Sequence, residues 1–217
     1  EGGKDVIVYD STHNLKGIEP TDTDFARSSL VFRYEGDLVY KSAVAPCGGT
    51  FYQWDYFNQP TSVEYDLPNE LTNVQLGFTG SYAANNCANE KIYSVLLTSM
   101  SEPVIIESTV NQGKLSPNGD RFAYAKDATL MILGDNGQID TKIPTTSQTM
   151  LTWADFYTLF IYEHGAIQSY NAKTNQHNAI GTIQQNQNVL SLTYWNGNVV
   201  IAYADGSLIL VEAPVGQ

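Results

Sequence analysis

Short runs in which large apolar residues alternate with polar ones recur along most of the chain. The run from Lys91 to Leu97 and the run from Arg121 to Ala125 both have this period, and Thr129 to Leu133 is a short continuous apolar run. Runs of this length and period indicate β-strands, and no long window of the sequence has a helical period. The pattern therefore predicts an all-β protein.

Turn signals recur between these runs at a constant distance. Asn118-Gly119 precedes Asn196-Gly197 by the same offset at which Asp127-Ala128 precedes Asp205-Gly206. Read as two repeats, this offset gives a period of about 39 residues, close to the roughly 40 residues of a four-stranded propeller blade. An irregular β-sandwich with accidental spacing is the alternative interpretation.

The period also predicts where each blade has its third strand. These strands are expected to begin near Thr50, Glu90, Thr129, Ala166 and Ser207. The last repeat lacks a fourth strand, and Asp5 to Tyr9 lacks the first three. Pairing the two removes two exposed edges. We therefore expect one domain over residues 1–217, a β-propeller of five four-stranded blades closed by the N-terminal strand.

One stretch fits this scheme poorly. Between Tyr56 and Asn73 there is room for one strand, Ser62 to Asp66, where the repeat requires two. We interpret Ser62 to Asp66 as an inner strand that follows a truncated outer strand. Asn73 to Tyr82 is then the next strand, and Ala83 to Asn89 is a polar loop.

The segment Lys91 to Ala154 resembles the propeller repeats of the bacterial Tol-system periplasmic protein and of the prolyl-oligopeptidase group. Their pattern is an aliphatic-aromatic strand, a Pro-led outer strand, then Ser-Pro-Asp-Gly-Lys before an Ile-Ala-Phe strand. The counterparts here are KIYSVLL, EPVIIES, SPNGD and RFAYA. The resemblance covers about a third of the chain. It implies a fold and carries no active-site residues across.

The charge balance limits the classes of partner. The chain has 11 Lys and Arg residues against 23 Asp and Glu, a net charge of −12. Nucleic acid is not expected as a partner, because binding it needs clustered cations. No apolar run approaches the length that spans a bilayer. Glu1 to Lys4 does not read as a signal peptide and would suit a trimmed chain.

Cys47 and Cys87 each lie a few residues before a predicted third strand, one repeat apart. Equivalent loops of neighbouring blades lie side by side, so a disulfide between the two cysteines is geometrically reasonable. Two unrelated thiols are the alternative. A disulfide would indicate a periplasmic or secreted location, outside a reducing cytosol.

Other chemistry has weaker signals. The three histidines are scattered, and we expect no metal site and no cofactor. Glu64 and Asp66 share one face of the predicted inner strand, and Asp155 ends another strand. Carboxylates on inner strands would suit a glycoside hydrolase if they converged.

Aromatic and amide side chains are the candidate binding residues. These residues are Tyr82, Asn85, Asn86, Trp153 and Trp195. Flat amphipathic rings stack on peptides or sugars, and amides both donate and accept hydrogen bonds. In a propeller, the loops from second to third strands and from fourth to first strands emerge on one face. That loop-rich face would collect Pro46 to Gly49, Ala83 to Asn89, Thr109 to Gly113, Thr145 to Thr149 and Gln184 to Asn188.

Architecture without recognisable catalytic chemistry favours a non-enzymatic extracytoplasmic scaffold. We expect it to recognise a protein or peptide partner on the loop-rich face, where binding residues usually lie. A carbohydrate-active enzyme that uses Glu64, Asp66 and Asp155 is the alternative, and a lectin is a third hypothesis.

Overall fold

The structure is a computed structural model of the 217-residue chain. It describes residues 6–9, 15–18, 30–32, 38–42, 47, 49–54, 63–67, 70–77, 80–109, 113–146, 149–183, 188–213 and 215. These residues are almost entirely β-strand and turn, which confirms the predicted all-β class.

The chain divides into two compact units, and the first comprises residues Glu1–Glu70. It contains a two-stranded and a four-stranded antiparallel sheet. The strands of the first sheet are β1 (Val6–Tyr9) and β2 (Leu15–Ile18). Those of the second are β3 (Leu30–Phe32), β4 (Leu38–Ser42), β5 (Gly49–Trp54) and β6 (Val63–Leu67).

The second unit, Leu71–Gln217, contains four sheets that follow one another along the chain. The first is β7 (Leu71–Leu76), β8 (Tyr82–Asn86), β9 (Asn89–Leu96) and β10 (Val104–Glu107). The second is β11 (Lys114–Leu115), β12 (Phe122–Lys126), β13 (Thr129–Leu133) and β14 (Ile139–Pro144). The third is β15 (Met150–Trp153), β16 (Thr158–Glu163), β17 (Ala166–Asn171) and β18 (Gln176–Thr182). The last is β19 (Val189–Trp195), β20 (Asn198–Tyr203) and β21 (Leu208–Glu212).

Within each of these sheets the strands pair in chain order, as an antiparallel meander. The first strands are the inner ones, because β7 contacts β11, β11 contacts β15, and β15 contacts β19. This is the blade arrangement of a β-propeller. The third strands β5, β9, β13, β17 and β21 begin within one residue of the predicted positions. The period read from the sequence is therefore confirmed.

The predicted number of blades is wrong. The described residues form four four-stranded sheets, and the last sheet has three strands. The predicted closure is wrong as well, since β1 pairs with β2 and not with β21. Pairing two strands a few residues apart closes a short loop at low entropic cost, whereas the predicted partner lies about 200 residues away along the chain.

The assignment between Ser62 and Asn89 is also corrected. β6 is the outer strand of its sheet, and the inner strand of the next is β7. Residues 73 to 82 do not form one strand, because a turn that contains Gly80 at a φ of 82° separates β7 from β8. The expected polar loop from Ala83 is instead β8, with only Cys87 and Ala88 between it and β9.

Adjacent sheets of the second unit pack face to face through three apolar clusters. The first joins residues of β8 to β10 with residues of β11 to β13, and Tyr93 lies against Phe122 with 5.2 Å between ring centroids. The second joins β12 and β13 to the sheet of β15, and includes Leu130 and Trp153. The third joins that sheet to β19 and β20. The two middle sheets therefore bury both of their faces.

Turns of adjacent sheets also contact each other. The connections from first to second strands and from third to fourth strands lie at one end of the sheets, which we call the upper end. There, Thr98 donates its backbone N–H to the carbonyl of Gly119, at 3.1 Å. Gly119 has a φ of 74°, and a Cβ on it would collide with Ser81. By contrast, Gly197 has a φ of 79° and nothing within 4 Å of where its Cβ would lie.

These two glycines allow a matched test of turn packing. Ala costs about 1–2 kcal/mol in the left-handed region at either position. Gly119→Ala should lose about 1–3 kcal/mol more than Gly197→Ala, because only the former also overpacks a contact between sheets. Urea unfolding measures both free energies. Equal losses would show that the upper-end turns do not pack as described.

Candidate binding surfaces

The sheet of β19 to β21 has two faces of different character. Directly paired residues lie on the same face, so Leu192, Ile201 and Ile209 share one, and Thr193, Val200 and Leu210 share the other. The first face belongs to the third apolar cluster, where Tyr194 stacks on Phe160 at 5.4 Å. Within the described part of the second unit, no sheet covers the other face.

We call this second face the terminal face. Its apolar members are Trp195, Val200, Ala202, Leu208 and Leu210. Trp195 is 64% exposed, Leu208 60% and Leu210 55%, whereas Val200 and Ala202 are half-buried. Large exposed apolar patches mark protein interaction sites, because a soluble protein otherwise minimises them.

Two tight turns build this face. Asn196 and Gly197 connect β19 to β20 with φ angles of 47° and 79°, which suits a two-residue hairpin turn. At the other turn, Asp205 accepts hydrogen bonds from the backbone N–H and the hydroxyl of Ser207, at 2.9 Å and 2.6 Å. The two turns fix the register that places Leu208 and Leu210 on the same face as Trp195.

A second surface lies at the upper end, around Tyr157. The guanidinium of Arg121 is 5.3 Å from the centre of the Tyr157 ring, and Nζ of Lys173 is 5.5 Å from it. Arg121 also pairs with Asp120 at 2.5 Å. Asp155 holds the loop by accepting the N–H groups of Tyr157 and Thr158, at 2.7 Å and 2.6 Å. Two cations therefore meet one aromatic ring on an acidic protein.

The predicted binding residues of β8 hold the sheet together. Asn85 is buried and donates its side-chain amide to the carbonyl of Glu90. Asn86 accepts the backbone N–H groups of Ala88 and Asn89, at 2.9 Å and 3.3 Å, and so stabilises the turn to β9. Tyr82 is half-buried, and its hydroxyl lies 3.3 Å from that of Ser94. These contacts favour a structural role for all three residues.

The two predicted tryptophans have different surroundings. Trp153 is buried in the second apolar cluster, and its indole N–H donates to the carbonyl of Lys114 at 3.0 Å. Trp195 ends β19 on the terminal face and is exposed. Of the five predicted binding residues, Trp195 is the one that the structure presents to solvent with most of its side chain.

The structure describes part of the predicted loop-rich face. Three connections from second to third strands in the second unit are two-residue turns, namely Cys87-Ala88, Asp127-Ala128 and His164-Gly165. Residues 110–112, 147–148 and 184–187, which belong to the predicted loops from fourth to first strands, lie outside the described residues. So do Pro46 and Gly48.

The carboxylates considered for glycoside hydrolysis do not line inner strands. Glu64 and Asp66 lie on β6, the outer strand of its sheet. Asp155 lies in a turn, where its oxygens accept hydrogen bonds from its own loop. The interpretation of Ser62 to Asp66 as an inner strand, on which the enzyme hypothesis depends, is therefore wrong.

Both cysteines are disulfide-bonded, and because the chain has only two, the bond joins Cys47 to Cys87. The predicted pairing is confirmed. In the part of the chain that the structure describes, no three His, Cys, Asp or Glu side chains are grouped to hold a metal ion. The described residues also include no helix that is long and apolar enough to cross a membrane.

The inner strand β11 is held by side chains from both neighbouring sheets. Gln75 of β7 donates to the carbonyl of Gly113 at 2.8 Å and accepts the N–H of Leu115 at 2.9 Å. Tyr93 accepts the N–H of Gly113 at 2.8 Å, and burial raises the pKa of its hydroxyl. Together with the hydrogen bond from Trp153, these side-chain contacts connect residues 113–115 to both neighbouring sheets, with which β11 shares no backbone ladder.

Lys114 is the half-buried cation of this inner strand. It pairs with Ala123, so it lies on the face that packs against the sheet of β15. Burial lowers the pKa of its ammonium group. A charge held in this position is unfavourable for folding, because desolvation penalises the charged form.

Comparison with known proteins shows the fold and no family. No protein-family model and no curated protein matches the sequence. Among solved structures, Hsv2 of Kluyveromyces lactis with a replaced loop is similar over 96% of this chain and 71% of its own, with a TM-score of 0.66 and 9% identity. A structure of the mitotic checkpoint complex matches 99% of this chain and 73% of its own, at a TM-score of 0.56 and 12% identity. A structure of BBS1N in complex with ARL6DN matches 96% of this chain and 72% of its own, at a TM-score of 0.52 and 14% identity.

At these identities the likeness shows the β-propeller fold alone. Within the second unit, the residues that sequence reasoning missed are Leu208 and Leu210. The signal was present, since Leu208 to Val211 is apolar at consecutive positions without the polar alternation of a half-exposed strand. The cluster of Arg121, Tyr157 and Lys173 had no such signal, because its members come from three separate turns.

The disulfide predicts a response to reduction. It closes a loop of 40 residues (87 − 47), so reduction should lower the free energy of unfolding by roughly 3–4 kcal/mol. The double variant Cys47→Ser with Cys87→Ser should be insensitive to the reductant. Mass spectrometry under non-reducing conditions checks the bond. Two free thiols in protein from an oxidising compartment would contradict it.

Lys114 predicts a stability that depends on pH. Because its pKa is lower in the folded than in the unfolded chain, the unfolded chain binds more protons between the two values, and stability rises with pH there. Lys114→Met should therefore be more stable than wild type at pH 7, with a smaller advantage at pH 10. Urea unfolding at both pH values measures this, with Lys126→Met as the control from the same sheet. An advantage that does not change with pH would contradict the assignment.

Proposed function

We propose that this protein is a non-enzymatic binding module that recognises a protein partner in an extracytoplasmic compartment. The observation that carries the proposal is the exposed terminal face. Leu208, Leu210 and Trp195 present to solvent the kind of surface that the two middle sheets bury on both sides.

The chemistry of this face suits a protein better than a carbohydrate. Burial of apolar area contributes about 25 cal/mol per Å², and Leu side chains offer no hydrogen bonds to sugar hydroxyls. Trp195 alone on this face combines a flat ring with a polar N–H, as sugar-binding sites do. A lectin would place several such rings and amides together, whereas Asn85 and Asn86 bond within their own sheet.

The compartment is inferred from the disulfide. Structural disulfides persist where the surroundings are oxidising, in the periplasm or outside the cell. The bond between Cys47 and Cys87 therefore supports an extracytoplasmic location. We further propose that residues 1–217 act as one propeller, of the kind that the repeats resembling the Tol-system and prolyl-oligopeptidase propellers imply.

The upper-end cluster, which consists of Arg121, Tyr157 and Lys173, contributes less to this function. Lys173 is exposed beside the Tyr157 ring, and it offers a charged contact for an acidic group of the partner. An exposed ion pair contributes only about 0–1 kcal/mol, so this contact would favour one orientation of the partner more than it would add affinity.

Differential capture tests the proposal. Immobilised wild type and the double variant Leu208→Ser with Leu210→Ser are exposed to an extracytoplasmic extract, and bound proteins are quantified by mass spectrometry. A partner should be captured by wild type and depleted about tenfold or more with the variant, since two exposed apolar anchors are lost. Ile105→Ser is the matched control, because Ile105 is 71% exposed on β10 and lies outside the terminal face.

Equal capture by all three proteins would contradict the assignment of the terminal face. A glycan array with the same proteins tests the lectin hypothesis. Sugar binding that the double variant retains would place sugar recognition outside the terminal face. Melting temperatures confirm that both variants fold, because surface substitutions usually change stability by less than about 0.5 kcal/mol.

A further inference from the structure

Strand β21 lies at the edge of its sheet among the described strands. Its backbone N–H and C=O groups point alternately toward β20 and away from the sheet. Ala213 donates to the carbonyl of Gly197, and Tyr203 donates to that of Ser207, at 2.9 Å and 3.0 Å. Hydrogen-bonded pairs alternate along an antiparallel ladder, so Ile209 and Val211 bond to β20. The N–H and C=O groups of Leu208, Leu210 and Glu212 therefore point away from the sheet.

The other outer strands of the unit carry features that discourage further pairing. Pro103 immediately precedes β10. β14 contains Lys142 and Pro144, and its ladder with β13 has an irregularity at Ile132/Leu133. The β18 ladder is irregular as well, and the strand is polar. Charged residues, prolines and bulges protect edge strands from unwanted association.

β21 lacks most of these features, and its one charged residue, Glu212, is the last residue of the strand. Its sequence from Leu208 to Glu212 has no Lys and no Pro, and its ladder with β20 is regular. Leu208 and Leu210 are exposed on the terminal face, and Ile209 is 37% exposed on the other. An apolar, regular and open edge is a template for pairing with another strand, so a protein that retains one uses it or aggregates.

The charge of the chain decides which strand fits. Two copies of β21 could pair by their edges, but each copy carries a net charge of −12 and would repel the other. Acidic residues flank the strand, with Asp205 before it and Glu212 at its end. A cationic segment is attracted by both the local and the overall charge.

We propose that β21 accepts an extended segment of the partner protein as the fourth strand of its sheet. This inference rests on the proposed function, and it specifies how the partner binds. The segment runs antiparallel to β21, places apolar side chains opposite Leu208 and Leu210, and carries Lys or Arg near Asp205 and Glu212. Main-chain hydrogen bonds supply affinity in such strand addition, and alternate side chains supply specificity.

Hydrogen exchange of the full chain tests this directly. The probe is a fluorescein-labelled peptide, Lys-Thr-Val-Thr-Val-Thr-Lys, with two controls: Glu in place of both Lys, and Pro in place of the central Thr. In the free protein, the amides of Ile209 and Val211 should exchange slowly and those of Leu208, Leu210 and Glu212 quickly. Saturating peptide should slow the latter three, and neither control should. Outward amides that are already protected in the free protein, or unchanged by the peptide, would overturn the proposal.

Two variants at one position test the mechanism by fluorescence anisotropy. Leu210→Pro removes an outward N–H without removing a ladder bond, a change that edge strands tolerate. It should weaken peptide binding at least about tenfold, whereas Leu210→Thr, which keeps the N–H, should lose less than about threefold. Equal affinities for the two variants would overturn strand addition. Partner capture through the terminal face would remain if only strand addition failed, so the two proposals fail separately.

Discussion

A sheet of this propeller must bury both of its faces, and this constraint governs the second unit. The two middle sheets satisfy it, because each contributes one face to each of two successive apolar clusters. Their strands accordingly carry apolar residues at consecutive positions, as in β12, where four successive side chains are buried. The last sheet has the same composition but one covered face. Leu208 and Leu210 are exposed because no further sheet of the second unit packs on them among its described residues.

The polar and aromatic residues of the chain serve this packing more than they serve recognition. Adjacent inner strands belong to separate sheets, and Gln75, Tyr93 and Trp153 supply side-chain hydrogen bonds to the backbone of residues 113 and 114. Asn86 stabilises the turn that a β8–β9 hairpin requires. Amides and phenols suit these positions because each can satisfy a backbone group in a place where water is excluded. A high content of Asn, Gln and Tyr is therefore weak evidence for a binding site in a propeller.

The sequence predicted the fold where local signals and the repeat agree. Third strands such as β13 and β17 were placed correctly because turn residues at a fixed spacing precede them. The strand β8 was missed because Ala83, Ala84 and Asn85 look like a small, polar loop, although all three are buried. Their burial depends on the neighbouring sheet, which no local pattern reveals. The partner of β1 was likewise misjudged, since the alternation of apolar residues specifies that a strand pairs and not with which strand.

Sequence reasoning selected one residue of the surface that we propose for binding, Trp195, and did not select Leu208 or Leu210. Trp195 was identified because it is a large amphipathic residue beside a turn, and that description applied equally to Trp153, which is buried. The two tryptophans differ in the position of their sheets along the second unit. The sheet of β15 lies between two other sheets, whereas β19 belongs to the last sheet. Within the second unit, the last sheet exposes apolar residues of the kind that hold the middle sheets together. The net charge of −12 disfavours association between copies of the chain, and it favours a segment of opposite charge at the edge of β21.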